Sequence, residues 1–187
     1  VTIDVTEQRR AERELRSVND QLRRAKEVAE YLARHDSLTG VLARRAWFDE
    51  AIRTPPAALA VIDIDRFKVV NDRFGHPGGD VVLRSVAEQL SEAVRGEGVL
   101  GRIGGEEFAI LFPDIFADEV QHRCEALREA VAASDIAIGD KQVHMTISIG
   151  IARLGATHHD RPALMRAADA ALYRAKDSGR NRICVAD

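Results

Sequence analysis

RIGGEEFAILF, residues 102–112, is the stretch on which the fold turns. It reads as two strands joined by a tight turn. Gly104 and Gly105 are expected to supply that turn, because only glycine takes a positive φ without steric cost. Glu106 and Glu107 follow at once, and then the apolar run 108–112. Two adjacent carboxylates at the head of a buried strand are costly unless something positive meets them. A second acidic strand end lies upstream in LAVIDID (59–65), which is nearly all apolar up to Ile64 and closes on Asp65. Side by side, the two strands would let Asp63, Asp65, Glu106 and Glu107 converge on a hard cation. The plainer alternative is an ordinary Gly-Gly hairpin with solvated glutamates.

The whole chain limits what surrounds this hairpin. At 187 residues it can hold one domain with a real core plus an appendage. Its 45% hydrophobic and 30% charged content is ordinary for a soluble globular protein. A net charge of −3 leaves no footprint for nucleic acid. No apolar run approaches the ~20 residues needed to cross a bilayer, so no membrane contact is expected. The polar N-terminus lacks the apolar segment of a signal peptide. These features fit a cytoplasmic location. Cys124 and Cys184 are far apart and suggest neither a disulfide framework nor a zinc site, and Cys124 reads as a small core residue. The chain begins at Val1 without a methionine and reads as a piece of something longer.

Val1, Ile3 and Val5 alternate as the end of a strand would, with Thr6 as a helix N-cap. Ala11, Leu15, Val18, Leu22, Ala25, Ala29 and Leu32 then repeat at spacings of 4 and 3, a heptad seam about 33 Å long at 1.5 Å per residue. Such a helix has little to pack on within its own chain. A parallel two-stranded coiled coil is the natural answer, and a helix lying along its own domain is the alternative. Small residues at four of the seven positions make the zipper weak. Asp36 and Thr39-Gly40 break the helix, and an amphipathic helix runs from near Leu42 to the Thr54-Pro55-Pro56 stop.

A core strand is expected at 57–65 and a short helix at 66–75, closed by Gly75. HPGGD (76–80) reads as a loop, and a long helix starts from Asp80 with Val82, Val86, Leu90 and Val94 on one face. Downstream of 102–112 come a helix at 117–132 and a hairpin of IAIG (136–139) with VHMTISIGIA (143–152). A helix at 161–176 and a final strand at 181–186 complete the chain. Helices alternate with strands, several of them paired by hairpins, which predicts an α+β fold with a mixed sheet and packed helices.

DSLTGVLARRAWF (36–48), DIDRFKVVNDRFGHPGGD (63–80), RIGGEEF (102–108), TISIGIA (146–152) and ALYRAKDSGRNRI (171–183) occur in the order seen in GGDEF-domain diguanylate cyclases, here with a GGEEF signature. The resemblance covers about residues 35–187. VTIDVTEQRRAEREL (1–15) resembles the last strand and exit of a PAS sensor domain. The implied organisation is a PAS-like tail at 1–5, a signalling-helix coiled coil at 6–34 and the catalytic domain at 35–187. The resemblance implies a ferredoxin-like, nucleotidyl-cyclase or palm-like core. It implies a homodimer, joined through the coiled coil and governed by an upstream sensor, that condenses two GTP into cyclic di-GMP with release of two pyrophosphates.

It also assigns residues. Two Mg²⁺ per site, with Mn²⁺ as a substitute, would be held by Asp63, the Ile64 carbonyl, Glu106 and Glu107. Glu106 is the family's candidate for accepting the hydroxyl proton, and Lys68 matches the lysine that stabilises charge on the phosphates. Lys176 and Arg180 match the cationic pair on the terminal phosphates; alone they read as helix C-terminal charges. Asn71, His76 and Asp80 look like the substrate-contacting set, although Asn71 and Asp80 alone would pass for helix caps. Gly104 and Gly105 would let the nucleotide approach the backbone.

There are two departures from the family pattern. The product-inhibition motif Arg-x-x-Asp is reduced to Arg95 with Gly98 in the Asp position, and Ala43 stands where the family has Asn. A catalytically silent relay that binds GTP or cyclic di-GMP, or a cyclase of altered base choice, are the rival readings.

Overall fold

Why the strand 58–64 is buried at every residue becomes clear once helices are found on both of its faces. The computed structural model describes residues 5–54, 56–113, 117–154 and 161–186. They form α1 (Val5–Arg34), β1 (Leu42–Ala43), α2 (Arg44–Arg53), β2 (Ala58–Ile64), α3 (Phe67–Ala93), β3 (Val99–Arg102) and β4 (Glu107–Phe112). The remainder is α4 (Ala117–Ala133), β5 (Asp135–Ile138), β6 (Lys141–His144), β7 (Ile147–Arg153), α5 (Arg161–Asp177) and β8 (Ile183–Val185). The chain divides into two units, one ending at Arg34 and the other starting at His35.

The second unit is built on a six-stranded sheet in the order β1-β3-β4-β2-β7-β8. β2 is central and antiparallel to both β4 and β7, while the two edge pairs, β1 with β3 and β7 with β8, are parallel. This is the mixed sheet with packed helices that the alternation of elements predicts. Side chains alternate across a strand. Ala58, Ala60, Ile62 and Ile64 accordingly face a core shared with α3 and α4 through Val82, Val86, Leu90, Cys124 and Leu127. Leu59 and Val61 face the other side, against Trp47 and Ala51 of α2 and Leu164, Ala168 and Leu172 of α5. Fully burying each large apolar side chain is worth about 1.5–3 kcal/mol, so the central strands are held from both faces.

Two glycines make these layers close. Gly101 on β3 leaves room for Trp47, whose ring would lie within 2.7 Å of a Cβ there, and Trp47 donates its indole N–H to the Val99 carbonyl at 3.0 Å. Gly150 on β7 lies under the α5 backbone at Ala168 and Leu172, which leaves no space for a side chain.

Several sequence expectations are corrected. α1 already includes Val5, so Thr6 lies inside the helix and does not cap it; the strand expected before it lies outside the described residues. HPGGD is not a loop. Gly75 kinks the chain at φ 68°, ψ 176°, and His76, Pro77, Gly78 and Gly79 form the first turn of the second helical segment. Proline is tolerated there because a first-turn N–H has no partner in any case. VHMTISIGIA is not one strand: it breaks at Met145–Thr146, so β5 and β6 make a separate two-stranded sheet and β7 joins the main one. Gly104 and Gly105 do not adopt positive φ. Gly104 has another role, because a Cβ there would displace the Glu107 carboxylate.

In the first unit, Leu15, Val18, Leu22 and Leu32 of the heptad seam are all more than half exposed. Exposed i,i+4 pairs such as Glu12–Arg16 and Arg23–Glu27 support the helix by a few tenths of a kcal/mol each.

Ala43 is the N-cap of α2, with extended backbone and no side-chain cap hydrogen bond. Asn is among the best residues for that position, worth about 1 kcal/mol over alanine. Ala43→Asn is expected to raise the thermal midpoint by about 3 °C. Scanning calorimetry showing no gain would mean the cap is satisfied by other means.

Candidate active site

The site is assembled where β2 and α5 end and β4 begins, at one end of the sheet's central strands. β2 and β4 pair so that Asp63 stands opposite Glu107, and the Ile64 amide donates to the Glu106 carbonyl at 3.3 Å. The hairpin predicted from 102–112 therefore does set the acidic end of β4 against the acidic end of β2. The turn between β3 and β4 is closed by the Ile103 and Gly104 amides donating to the Glu107 carbonyl, at 2.9 and 3.2 Å. Arg102 holds it from outside, donating from Nε and Nη2 to the Gly105 carbonyl at 3.1 and 2.7 Å. Its Nη1 reaches Asp36 Oδ1 at 3.0 Å. Asp36 also accepts from the Thr39 amide and hydroxyl. Burial opposes the Asp36 charge, but the bonds from Thr39 and Arg102 outweigh it and hold the carboxyl below its ordinary range. Neither Asp36 nor Arg102 was singled out from the sequence for this role.

Asp63 is 7% exposed, and Lys176 Nζ from the last turn of α5 lies 2.6 Å from its Oδ2. Burial pushes the Asp63 carboxyl above the ordinary range; Lys176 pulls it down, and the charges of Glu106 and Glu107 push it up again. Asp65, grouped with these carboxylates on sequence grounds, does different work. Its side chain is consumed by the Thr146 hydroxyl at 2.7 Å, the Ser148 hydroxyl at 2.7 Å and the Asn181 amide at 3.0 Å. It is a buried tie between β2, β7 and the loop after α5.

Lys68 lies exposed in the first turn of α3. Asn71 is half-buried, with its Oδ1 against Gly79, where any Cβ would displace it. The kink at Gly75 thus brings Asn71 back to the segment carrying Asp80, itself half-buried; His76 is exposed at the kink. Arg180 is exposed in the loop after α5 at φ 64°. Arg95 is exposed after α3. A cleft of 310 Å³ next to Glu107 and Lys176 is also lined by Arg44, Phe48, Asp169 and Tyr173. Burial, and then the Glu107 charge, raise the Asp169 carboxyl. Asp169 and Tyr173 could have been found in the sequence, since they precede Lys176 by two turns and one turn of the same helix.

Among the described residues, no three acidic, histidine or cysteine side chains are gathered closely enough to hold an ion as they stand. The chemistry of the donors nevertheless suits a hard divalent cation, since Asp63, Glu106, Glu107 and the Ile64 carbonyl offer only oxygen. The Lys176 ammonium on Asp63 shows that this carboxylate draws positive charge to itself.

The diguanylate cyclase GGDEF-domain family matches residues 33–182. The chain belongs to that family. Diguanylate cyclase DgcM of Escherichia coli K12 is 35% identical over 195 aligned residues, covering 98% of this chain and 42% of DgcM. This GGDEF chain spans half or less of the length of the curated relatives it matches. Among solved structures, the coiled coil and GGDEF domain of DgcB from Caulobacter crescentus, in complex with c-di-GMP, superposes with a TM-score of 0.87. The two are 33% identical, over 96% of this chain and 98% of that one. The active GGEEF domain of a diguanylate cyclase from Vibrio cholerae gives 0.66 at 35% identity, over 76% and 90%.

The Asp63 environment gives a stability prediction. A carboxyl whose folded pKa is raised favours folding at low pH, and that contribution is gone once the pH has risen through the folded value. At pH 7 the charged side chain therefore weakens the fold relative to a neutral isostere. In EDTA, Asp63→Asn is expected to melt above the parent at pH 7, with the gap closing as the pH falls below the ordinary carboxylate range. A variant that melts lower at pH 7 would contradict this.

Proposed function

We propose that this chain is the catalytic part of a diguanylate cyclase, which joins two GTP molecules into cyclic di-GMP and releases two pyrophosphates. The observation that carries the reading is the register of β2 against β4. It sets Asp63 opposite Glu107, beside Glu106 and Lys176, in a chain of the GGDEF family. Asp63, the Ile64 carbonyl, Glu106 and Glu107 would hold two Mg²⁺, or Mn²⁺ in their place. When bound, such ions neutralise charge on the leaving pyrophosphate and make the attacking 3′-hydroxyl more acidic.

The chain's own groups do the rest. Asn71 and Asp80 read the guanine edge, and a carboxylate facing two N–H donors rejects adenine because its charge is left unpaired. His76 adds a contact at the kink. Lys68, Lys176 and Arg180 gather the phosphates, Lys68 where charge grows during transfer. Glu106 receives the hydroxyl proton. Gly105, beside which a Cβ would meet nothing within 4 Å, leaves the turn open to the nucleotide.

One site holds one GTP, so two chains must face each other to close the ring. The exposed seam of α1 supports a parallel coiled coil as the device that pairs them, raising the effective concentration of facing sites. The likeness to the DgcB coiled coil and GGDEF domain points the same way. An upstream sensor ending in residues 1–5 would act through 6–34. A GTP-consuming enzyme belongs in the cytoplasm, and no helix among the described residues is long and apolar enough to cross a membrane.

Incubation with GTP and Mg²⁺ should yield cyclic di-GMP by mass spectrometry, and ATP should yield no cyclic dinucleotide. Glu106→Gln should lower kcat by about 10² or more. Leu22→Asp should lower kcat while leaving GTP affinity unchanged; equal loss of both would count against pairing through the seam.

Product inhibition through Arg95 should be weak. Gly98 cannot regain the missing carboxylate cheaply, because a Cβ there would press on Ile110 Cγ2 at 2.9 Å and the Leu111 carbonyl at 3.1 Å. Calorimetric titration with cyclic di-GMP that shows tight, Arg95-dependent binding would overturn this.

A further inference from the structure

Behind the first segment of α3 lies a cleft of 360 Å³ that the cyclase reading touches only at Arg180. It is bounded by that segment, the β6–β7 junction and the loop after α5. Asn71 and Asp80, the guanine-reading pair, do not line it. Asn71 leaves the helix about 200° from Val69 and Arg73, which do line it, so the guanine-reading side chain lies across α3 from this cleft.

The rim carries Arg66, Arg73 and Arg180, and among the described residues none of the three is paired with a carboxylate. Arg73 rests over the Phe74 ring at 5.0 Å. The one carboxylate in the lining, Asp65, is fully engaged by Thr146, Ser148 and Asn181, and His144 is turned to Asp135. Three unpaired guanidiniums around one concavity raise the local potential and suit phosphate oxygens. The wall between them is apolar, made by Phe74, Val143, Met145 and Val69, which is 59% exposed. The Thr146 hydroxyl is spent on Asp65, so no lining hydroxyl is left to read a base edge.

We propose that this cleft is a second, base-tolerant binding site for nucleotide polyphosphates, with phosphates on the arginine rim and the base against the apolar wall. Arg180 belongs to both this rim and the triphosphate site, so an occupant draws it away and competes with GTP. That consequence rests on the role given to Arg180 above; the binding itself does not.

ATP is the probe, because the guanine-reading pair excludes it from the other site. With the full chain and Mg²⁺ in excess, calorimetry should show saturable ATP binding. Arg73→Glu or Val69→Trp, both at exposed positions, should weaken it about tenfold or more, and Glu106→Gln should leave it unchanged. Tripolyphosphate, lacking a base, should bind about tenfold more weakly than ATP. ATP should raise the apparent KM for GTP in the parent and not in Arg73→Glu. The site is overturned by absence of ATP binding, by binding indifferent to both cleft variants, by its loss in Glu106→Gln, or by tripolyphosphate matching ATP. An unchanged KM overturns the competition alone. A chain that makes no cyclic di-GMP defeats the cyclase reading while the binding arms still decide the cleft.

Discussion

The three hydrogen bonds on the Asp65 carboxylate are the constraint on which the site's geometry depends. Asp65 is 5% exposed, and a charge so placed is tolerable only when its lone pairs are filled. Two hydroxyls from the start of β7 and one amide from the loop after α5 fill them. Hydrogen bonds to a charged group contribute about 1.5–3 kcal/mol each. They fix the end of α5 against the end of β2, which is how Lys176 comes to lie on Asp63. The same loop is pinned from its other side by Arg128, which donates to the Asn181 side chain at 2.8 Å. Arg180 and Asn181 are held at positive φ between these two anchors.

Next to this carboxylate sits a group of acids crowded against one another. Asp63 is buried, faces two glutamates and has one lysine for relief. The contrast between Asp65 and Asp63, two residues apart, is one of environment. One has its charge answered inside the protein. The other leaves room for positive charge from outside, and strain of that kind is what a cation-binding centre would relieve.

Much of this was legible in the sequence. Apolar strands closing on carboxylates identified β2 and β4 and set their acidic ends side by side, while the register between them is given only by the structure. The seam of α1 and the amphipathic faces of α3, α4 and α5 were equally plain. What was misread shares a cause: residues whose behaviour is set by distant neighbours. Gly104 looks like a turn glycine but answers to the Glu107 carboxylate. Gly78 and Gly79 look like loop residues but are small so that Phe74 and Asn71 can pack against them in a helix. Met145–Thr146 reads as continuous strand, yet the hydroxyl of Thr146 is turned to Asp65 and the chain changes sheets there. Asp65 itself looked like a cation ligand because its three partners lie 81 to 116 residues away.

Arg102 joins the first residues of the second unit to its signature turn, gripping Asp36 with one nitrogen and the Gly105 carbonyl with two others. The opening segment of this unit is therefore not a mere tether. If the chain were trimmed back past Gly40, every acid and cation of the proposed nucleotide site would remain. One end of the brace would be gone, and the turn carrying Glu106 would keep only its own internal hydrogen bonds. Where the second unit begins, for anyone shortening it, is decided by a guanidinium nearly seventy residues downstream.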